Sequence, residues 1–490
     1  MMAIGFDLEA AGFNGVLARL AALGFSEQSV CGRLGLDDIN DLQLRAAPIY
    51  RSERLQPRDP LASAIDLFLL QGMLSADELD QLFDPAQQQA LADCGLLGRE
   101  AGTARMRASL YPVGPDLIVS DHASHELDPE TRATAPHDRV MYVGTDSRWL
   151  ARVTLRKAVD TVLDLCCGSG VHALLAAAHA QHVTAVDINP RAVHCTAFNA
   201  RLRGLPNVEA LQGDLYAPVA GRRFDLITAN PPFVPAPEQK VGFRDGGPSG
   251  EDVQRRIIEG LPLHMGPAGL AQLVTEFGES DADPLERRLR RWLGDAAIDI
   301  HVLRLRTHGA QAYAIGHADG DDPAAFLRSV GAWAANLRAH GYTRVVSVLL
   351  TFQWSQASPW SRVDEARPPT RAAGAELEAI FAAERLARDL TLRARLRGGS
   401  VVRTGPVAIF ESRALGTDVP PSIRARLFGQ SLSVEHALDP LELDVLTHLE
   451  RPMATEAILG VAAKVNLAED VVLNALVSLV AKGLARLAVV

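Results

Sequence analysis

The stretch Val162-Leu-Asp-Leu-Cys-Cys-Gly-Ser-Gly-Val171 decides the fold of this chain. An apolar run ends in an acid, a small turn with two glycines follows, and the helix-forming residues 171–180 come next. This order predicts a buried strand, a tight turn and a helix. Gly168 and Gly170 lack a Cβ, so a ligand can approach the backbone of the turn closely. Because such a turn can also serve only to pack a helix on a strand, the stretch alone leaves both interpretations open.

Three later apolar runs also end in polar residues. His182-Val-Thr-Ala-Val-Asp187 and Val208-Glu-Ala-Leu-Gln-Gly-Asp214 end in acids, and Phe224-Asp-Leu-Ile-Thr-Ala-Asn-Pro-Pro-Phe233 ends in Asn-Pro-Pro-Phe. In open parallel sheets, ligands bind at the carboxyl ends of the strands, and an acid after the second strand commonly binds a ribose hydroxyl pair. The four runs therefore predict a doubly wound α/β sheet with a ligand site at one edge.

With these motifs the chain resembles a known family, the class I S-adenosylmethionine-dependent methyltransferases that carry an (Asn/Asp)-Pro-Pro-(Phe/Tyr) motif. The resemblance covers roughly residues 105–318. It is similar to the release-factor glutamine N5-methyltransferases and to the small-domain guanine-N2 rRNA methyltransferases, and Gly246-Gly-x-x-Gly250 resembles a loop of the glutamine enzymes. The family's first loop usually reads Asp-x-Gly-x-Gly-x-Gly. Cys166 stands here at the first glycine, and because cysteine is small we expect the turn to survive.

The resemblance implies S-adenosyl-L-methionine as the cofactor and suggests the residues that bind it. Asp187 would bind the ribose hydroxyls, Asp164 would act on the methionine ammonium group, and Asp214 with Leu215 would meet the adenine. Asp214 could instead only end its strand through a local backbone bond. The full set expected to bind the cofactor is Asp164, Cys166, Gly168, Gly170, Asp187, Asn189, Asp214, Leu215 and Asn230.

The catalytic residues implied by the resemblance are Asn230, Pro231, Pro232 and Phe233. A planar amide or aromatic amine has a delocalised lone pair and must pyramidalise before it can attack a methyl group. The Asn230 side-chain oxygen and the Pro231 carbonyl would each accept one N–H, the prolines would fix φ, and Phe233 would stack on the substrate. The alternative is that Asn-Pro-Pro is only a tight turn.

Composition limits the class of protein. The chain has 490 residues, 48% of them apolar, and a formal net charge of −10, which argues against non-specific coating of nucleic acid. Five scattered cysteines, no leader-like N-terminus and no membrane-length apolar run favour a soluble, cytoplasmic protein without structural zinc. Without nearby partners, His122 and His125 indicate surface histidines rather than a metal site.

The predicted domain order places the methyltransferase domain between flanking modules. Residues 1–104 read as a helical, winged-helix-like domain, residues 105–318 as the methyltransferase domain, residues 319–433 as an α+β accessory region and residues 434–490 as a winged-helix-like module. The flanks could recognise substrate or only stabilise the catalytic domain. Ala297–Leu305 and Gln311–Gly316 are predicted to form the closing antiparallel hairpin of the sheet, and Arg344–Phe352 a strand of the accessory region.

The leading functional hypothesis is transfer of a methyl group to a planar nitrogen of a protein or peptide substrate. A nucleic-acid base of rRNA, tRNA or DNA, or a small-molecule natural product, is the alternative substrate. A non-catalytic regulator that binds S-adenosylmethionine is the alternative outside enzymes. The sequence predicts no membrane association and leaves the oligomeric state open.

Overall fold

The computed structural model describes residues 13–123, 138–238, 241–356, 358–412 and 421–488. The chain divides into two compact units. The first comprises Met1–Ala151, Arg156–Val302 and Thr307–Arg362. The second comprises Arg152–Leu155, Leu303–Arg306 and Val363–Val490.

The first unit begins with helices and two small antiparallel sheets. Helices α1 to α5 are Phe13–Ala22, Glu27–Leu34, Pro60–Phe68, Ala76–Leu82 and Pro85–Asp93. Strands β1 to β5 are Met73–Ser75, Leu97–Glu100, Thr103–Met106, Ser109–Val113 and Asp116–Ser120. Short helical turns at Ile39–Asp41, Leu44–Ala46, Ala47–Ile49 and Tyr50–Arg54 lie between α2 and α3. The strands pair in the order β1-β3-β2, and β4 pairs with β5 in the hairpin predicted within residues 105–119.

Capping residues set the starts of these helices. Asp59 accepts a hydrogen bond from the Ala62 N–H just before α3, which begins with proline. Ser75 and Glu78 form the predicted capping box of α4. The N-terminal helices share one hydrophobic cluster with the later helix Pro190–Leu202, and the Phe13 and Phe198 rings meet edge to face at 6.2 Å.

The remainder of the first unit is organised around one large sheet. Strands β6 to β9 are Val159–Leu165, Ala180–Asp187, Val208–Gln212 and Phe224–Ala229, and strands β10 to β13 are Met265–Glu279, Ile298–Gly309, Arg344–Trp354 and Ser361–Glu365. Helices α6 to α12 are Thr145–Val153, Val171–Ala176, Pro190–Leu202, Asp252–His264, Leu285–Leu293, Ala310–His317 and Pro323–Ala339. The strand order is β13-β11-β12-β10-β9-β6-β7-β8.

The order of this sheet reverses at β6. The strands β6 to β10 are parallel, and the chain fills one side of β6 with β7 and β8 before it fills the other with β9 and β10. The crevice at such a reversal, at the carboxyl ends of the strands, is where ligands bind in open α/β sheets. The predicted α/β, Rossmann-like core is confirmed.

The closing hairpin was predicted in the wrong place. Residues 311–316 lie in helix α11, and the strand that pairs antiparallel with β10 is β12, which the sequence analysis assigned to the accessory region. The apolar side chains of α11 are spaced as a helix requires, because Ala310, Tyr313 and Ala314 face one hydrophobic cluster. The sheet continues beyond residue 318 with β12 and β13.

Within its described residues, the second unit contains five helices and two three-stranded sheets. Helices α13 to α17 are Gly374–Arg388, Leu392–Arg397, Pro440–His448, Thr455–Lys464 and Glu469–Ala481. Strands β14 to β19 are Ser400–Arg403, Val407–Ser412, Ser422–Leu427, His436–Leu438, Met453–Ala454 and Ala485–Leu487, and the sheets are β18-β14-β19 and β15-β16-β17.

Arginines of α14 neutralise the acidic start of α17. Arg397 pairs with Glu469 at 2.6 Å, and Arg393 pairs with Asp470 at 3.3 Å. These exposed arginines are therefore part of a salt-bridged surface. Among the described residues, no helix is both long enough and apolar enough to cross a membrane.

Candidate active site

The loop after β6 turns sharply at three positions. Cys166, Gly168 and Gly170 have positive φ angles of 56°, 55° and 81°. The Gly170 N–H donates to the Cys167 carbonyl at 2.7 Å, which closes the turn before α7. A cysteine in this left-handed conformation is strained where glycine is not. The turn keeps its shape with Cys166 at the first position.

A cavity of about 360 Å³ lies beside this loop. Of the residues that the sequence analysis selected, those lining this first cavity are Cys166, Gly168, Asp187, Asn189, Asn230 and Pro232. They come from the ends of β6, β7 and β9, so the structure brings together residues up to 66 positions apart in the sequence. A cavity of this size is within the range of small-molecule sites.

Asp187 and Asn189 fix the rim of the first cavity. The Asp187 carboxylate accepts hydrogen bonds from the Gly168 and Asn189 N–H groups, both at 2.9 Å. The Asn189 side chain caps α8 by accepting from the Arg191 N–H at 2.9 Å. Burial raises the pKa of Asp187 above its ordinary value, while the backbone bonds lower it.

Four selected residues lie near the first cavity without lining it. Asp164 is fully buried and accepts from the Ala173 N–H at 3.1 Å and the Thr228 hydroxyl at 2.9 Å. A Cβ on Gly170 would lie 2.8 Å from the Thr196 methyl carbon, so this glycine serves helix packing. Asp214 pairs with Arg256 at 2.8 Å. Leu215 is 8% exposed and belongs to the hydrophobic core.

The carboxyl groups of Asp164, Asp187 and Asp214, at or just after the ends of β6, β7 and β8, all influence the Cys166 thiol. Burial raises the pKa of the Cys166 thiol, and the charges of Asp187, Asp164 and Asp214 raise it further. Burial also raises the pKa of Asp164 to about 7, with Asp187 adding to the effect. Three carboxyl groups thus act on the loop after β6, with Arg256 opposing them, and their negative charge favours a cationic ligand.

Asn230 is held by its nitrogen and has an unused oxygen. Its Nδ2 donates to the Ser147 hydroxyl at 3.0 Å and to an Asp146 carboxylate oxygen at 3.3 Å. A carboxylate only accepts, so these contacts fix the orientation of the amide. The Asn230 Oδ1 is buried and has no hydrogen-bond partner among the described residues. A buried unpaired acceptor is costly unless a ligand pairs with it.

A second cavity of about 280 Å³ lies on the other side of Asn230. Pro231 and Phe233 line this second cavity, whereas Pro232 lines the first. Asn230 lines both cavities, so the Asn-Pro-Pro-Phe segment runs along the wall between them. The other residues that line both are Met141, Tyr142 and Phe243.

The Gly246-Gly-x-x-Gly250 loop packs against this segment. The Phe233 N–H donates to the Arg244 carbonyl at 3.1 Å, and the Gly246 N–H donates to the Val234 carbonyl at 3.0 Å. A Cβ on Gly246 would lie 2.8 Å from the Pro232 carbonyl oxygen, and one on Gly250 would lie 2.5 Å from the Phe233 carbonyl oxygen. Only glycine allows this approach, so the loop holds the Asn-Pro-Pro-Phe backbone in place.

Comparison with known proteins identifies the family. The family described as Methyltransferase small domain matches residues 143–277. A putative protein N5-glutamine methyltransferase of Methanocaldococcus jannaschii is 31% identical over 145 residues, which cover 28% of this chain and 73% of that protein. This chain belongs to the class I S-adenosylmethionine-dependent methyltransferases.

Two other relatives within this methyltransferase family carry related names. The ribosomal protein uL3 glutamine methyltransferase of Bradyrhizobium diazoefficiens is 44% identical over 135 residues, which cover 25% of this chain and 41% of that protein. The release factor glutamine methyltransferase of Geobacter sulfurreducens is 27% identical over 222 residues, which cover 41% of this chain and 70% of that protein. The chain thus spans less than half the length of the first of these relatives.

The residues of the first cavity fit the family's cofactor, S-adenosylmethionine. The carboxylates of Asp138 and Asp187 line the first cavity, and negative charge there suits a molecule with a sulfonium and an ammonium group. A Cβ on Gly168 would meet no protein atom within 4 Å, so open space adjoins the loop where a methyltransferase cofactor would pass.

The buried carboxyl of Asp164 leads to a pH prediction for this methyltransferase. A cationic ligand favours the ionised carboxylate, so we expect S-adenosylhomocysteine, which keeps the ammonium group, to displace a proton when it binds near pH 7. Its affinity should fall about tenfold per pH unit below 7. Calorimetry in buffers of different ionisation enthalpy measures the released proton. In Asp164→Asn the proton release near pH 7 should disappear, and its persistence there would exclude Asp164 as its source.

Sequence reasoning missed the residues that orient Asn230 and those that complete the second cavity. The carboxylate of Asp146, in the first turn of α6, contacts the Asn230 amide, and burial raises the pKa of Asp146. Phe243 lies just before the Gly246-Gly-x-x-Gly250 loop in the sequence. This proximity is the feature that could have identified it as a residue lining the second cavity. Of the two histidines considered as metal ligands, His122 hydrogen bonds to Ser109 at 2.8 Å, and His125 lies outside the described residues.

Proposed function

We propose that the protein catalyses S-adenosylmethionine-dependent methylation of the side-chain amide nitrogen of glutamine in a protein substrate. One observation carries the proposal. Asn230 stands in the wall between two cavities, anchored through its nitrogen, with its oxygen unpaired. An amide that must lose its planarity needs fixed acceptors for its N–H groups, and Asn230 offers one where the two cavities meet.

The first cavity is the proposed cofactor site. When bound, S-adenosylmethionine supplies a methyl group on a positively charged sulfur. Asp187 would accept from the ribose hydroxyls, and the backbone at Gly168 allows close approach. The charge of the buried Asp164 carboxylate would act on the ammonium group of the cofactor. A contact of Asp214 with adenine would require its ion pair with Arg256 to open.

The second cavity is the proposed acceptor site. The Asn230 Oδ1 and the Pro231 carbonyl would each accept one N–H of the substrate, which directs the nitrogen lone pair towards the methyl group. The two prolines fix φ and keep these acceptors rigid. The Phe233 ring would pack on the planar amide. Most of the rate would come from this fixed arrangement of acceptors.

The names of the relatives support glutamine as the acceptor. The three relatives described above are a ribosomal protein uL3, a release factor and a putative protein N5-glutamine methyltransferase. The aromatic side chains Tyr142, Phe233 and Phe243 line the second cavity, which suits a slender planar group. A nucleic-acid base, a small-molecule acceptor and a purely regulatory role are the alternatives that experiment must separate.

The first test follows a labelled methyl group. The purified protein and methyl-labelled S-adenosylmethionine are incubated with lysate from cells that lack the gene. We expect acid-precipitable label that survives nuclease and is lost after protease, and a methylated glutamine in the peptide mass spectrum. A peptide with glutamate in place of that glutamine should accept nothing. Label found only in RNA, or only in the small-molecule fraction, would overturn the choice of substrate.

The flanking modules are proposed to serve substrate recognition. Three features stay predictions: the winged-helix-like character of residues 1–104 and 434–490, the domain boundaries and a cytoplasmic location. In the N-terminal module the order of a helix, a strand, two helices and a hairpin supports the first of these.

A further inference from the structure

Helix α11, which takes the place of the second strand of the predicted hairpin, lines the second cavity and packs against helix α12. Their side chains Tyr313, Ala314 and Trp333 form a hydrophobic cluster with Val234 and Ala236, which follow the Asn-Pro-Pro-Phe segment directly. Gly316 and His317 at the end of α11 line the second cavity together with Asn230. Helix α11 therefore brings a histidine into the wall of the cavity that is the proposed acceptor site.

The ring of His317 is fixed on two sides. Its Nδ1 lies 3.0 Å from the Tyr313 carbonyl oxygen. The ring stacks on Tyr313 with 4.0 Å between centroids and lies 5.2 Å from the Trp333 ring. The Tyr313 hydroxyl in turn donates to Glu276 at 2.8 Å. A carbonyl oxygen only accepts, so Nδ1 carries the hydrogen and Nε2 of the neutral ring has a free lone pair.

His317 also borders a third cavity of about 340 Å³. Arg244 lines both the second and the third cavity, as His317 does. The third cavity is also lined by Asp319 and Arg328, which are exposed on the surface. A proton received by His317 from the acceptor side can therefore leave to water on the other side.

We infer that His317 accepts, through Nε2, the proton that the acceptor nitrogen loses on methylation. This inference rests on the proposed function. The nitrogen lone pair forms the N–CH₃ bond while the S–CH₃ bond breaks and leaves its electrons on sulfur, so the sulfonium becomes a neutral thioether. As the N–CH₃ bond forms, the nitrogen keeps one N–H on the Asn230 Oδ1 and gives the other proton, previously on the Pro231 carbonyl, to Nε2 in the same transition state. The imidazolium then passes this proton to water in the third cavity. Asn230 aligns the nitrogen, and His317 removes the proton.

The charges around His317 suit this role. Burial lowers the pKa of His317 below the ordinary histidine value, so the ring is neutral and able to accept a proton at pH 7. Arg244 and His308 lower it further, whereas the backbone bond to Tyr313 and the charge of Glu276 favour the imidazolium. The remaining charged groups at the third cavity are Glu238, Asp319 and Arg328.

The test compares pH profiles of single-turnover methyl transfer to a glutamine peptide at saturating cofactor. The wild-type rate should show an acid limb that lies below the ordinary histidine pKa of about 6.5, because burial lowers the pKa of His317. His317→Gln should be slower by about 100-fold or more and should lose this acid limb. His308→Gln is the matched control, because His308 is exposed and its ring lies 6.4 Å from Tyr313. It should keep both the rate and the acid limb.

A second readout does not depend on activity. Nitrogen NMR of the wild-type protein at pH 7.5 should show a neutral His317 ring with hydrogen on Nδ1, and the signal is assigned by its loss in His317→Gln. A ring with hydrogen on Nε2 would overturn the inference, as would an acid limb that persists in His317→Gln. If the wild type transfers no methyl group to glutamine under any condition, the proposed function fails instead, whatever the tautomer.

Discussion

Replacing Asn230 with alanine is expected to reduce methyl transfer about 100- to 1,000-fold, since fixed polar groups at a reacting centre contribute on that scale. The cavity residues on β6 and β7 are unchanged, so the affinity for S-adenosylhomocysteine should stay within about threefold of wild type, less than 1 kcal/mol. Calorimetry measures the affinity, and labelled methyl transfer measures the rate. If Asn230→Ala binds S-adenosylhomocysteine normally and transfers the methyl group at the wild-type rate, the role assigned to Asn230 is wrong.

Ser147→Ala is a second, milder variant that tests the same role of Asn230. It removes one of the two acceptors that hold the Asn230 nitrogen and leaves the Asp146 carboxylate in place. The amide then keeps its orientation less firmly, so we expect a loss of transfer smaller than that of Asn230→Ala and no loss of product affinity. A Ser147→Ala enzyme as inactive as Asn230→Ala would mean that Ser147 itself contacts the substrate.

The strands and their polar ends could be predicted because the signal is local. Each of the runs that end at Asp187, Asp214 and Asn230 is an apolar segment of strand length closed by a polar residue, and the structure has a strand in each place. The parallel pairing around β6 then follows from the alternation of strands and helices. The same local rule identified Asp187 and Gly168 as neighbours in one cavity.

The hairpin prediction failed because it followed the resemblance to the family's fold, and the segment is too short to test it. Gln311-Ala-Tyr-Ala-Ile is a short apolar run that suits a buried strand, yet Ala310, Tyr313 and Ala314 share one face of a helix. Periodicity in six residues cannot separate these cases. Tertiary packing against Trp333 and Val234 decides for the helix, and nothing within the segment itself indicates those partners.

The orientation of Asn230 could not be predicted for a different reason. Its partners Asp146 and Ser147 lie 84 and 83 positions away in the sequence. The helix that carries them, α6, is itself tied to the N-terminal helices, because Arg148 pairs with Glu27. Residues 13–123 therefore support the acceptor geometry through α6, which gives the N-terminal module a structural role beside any recognition of substrate.

Gly246→Ala is expected to reduce methyl transfer about 100-fold by moving the Asn-Pro-Pro-Phe segment. The new Cβ would lie 2.7 Å from the Gly250 carbonyl oxygen, 2.8 Å from that of Pro232 and 2.9 Å from the Phe233 Cα. These are backbone atoms, so no side-chain rotation can relieve the contacts and the segment must shift. A displacement of about 1 Å at a reacting centre costs on the order of 100-fold in rate. Overpacking of this kind costs about 1–3 kcal/mol of stability.

Gly331→Ala is the matched control for this variant. A Cβ on Gly331 would meet no atom within 4 Å, and the residue lies inside helix α12, where alanine is favoured over glycine. It should therefore keep full activity with equal or higher stability. Product affinity in Gly246→Ala should fall less than the rate does, because Asp187 and Gly168 belong to other loops. Full activity of a folded Gly246→Ala protein would show that the glycine loop does not hold the acceptor groups in register.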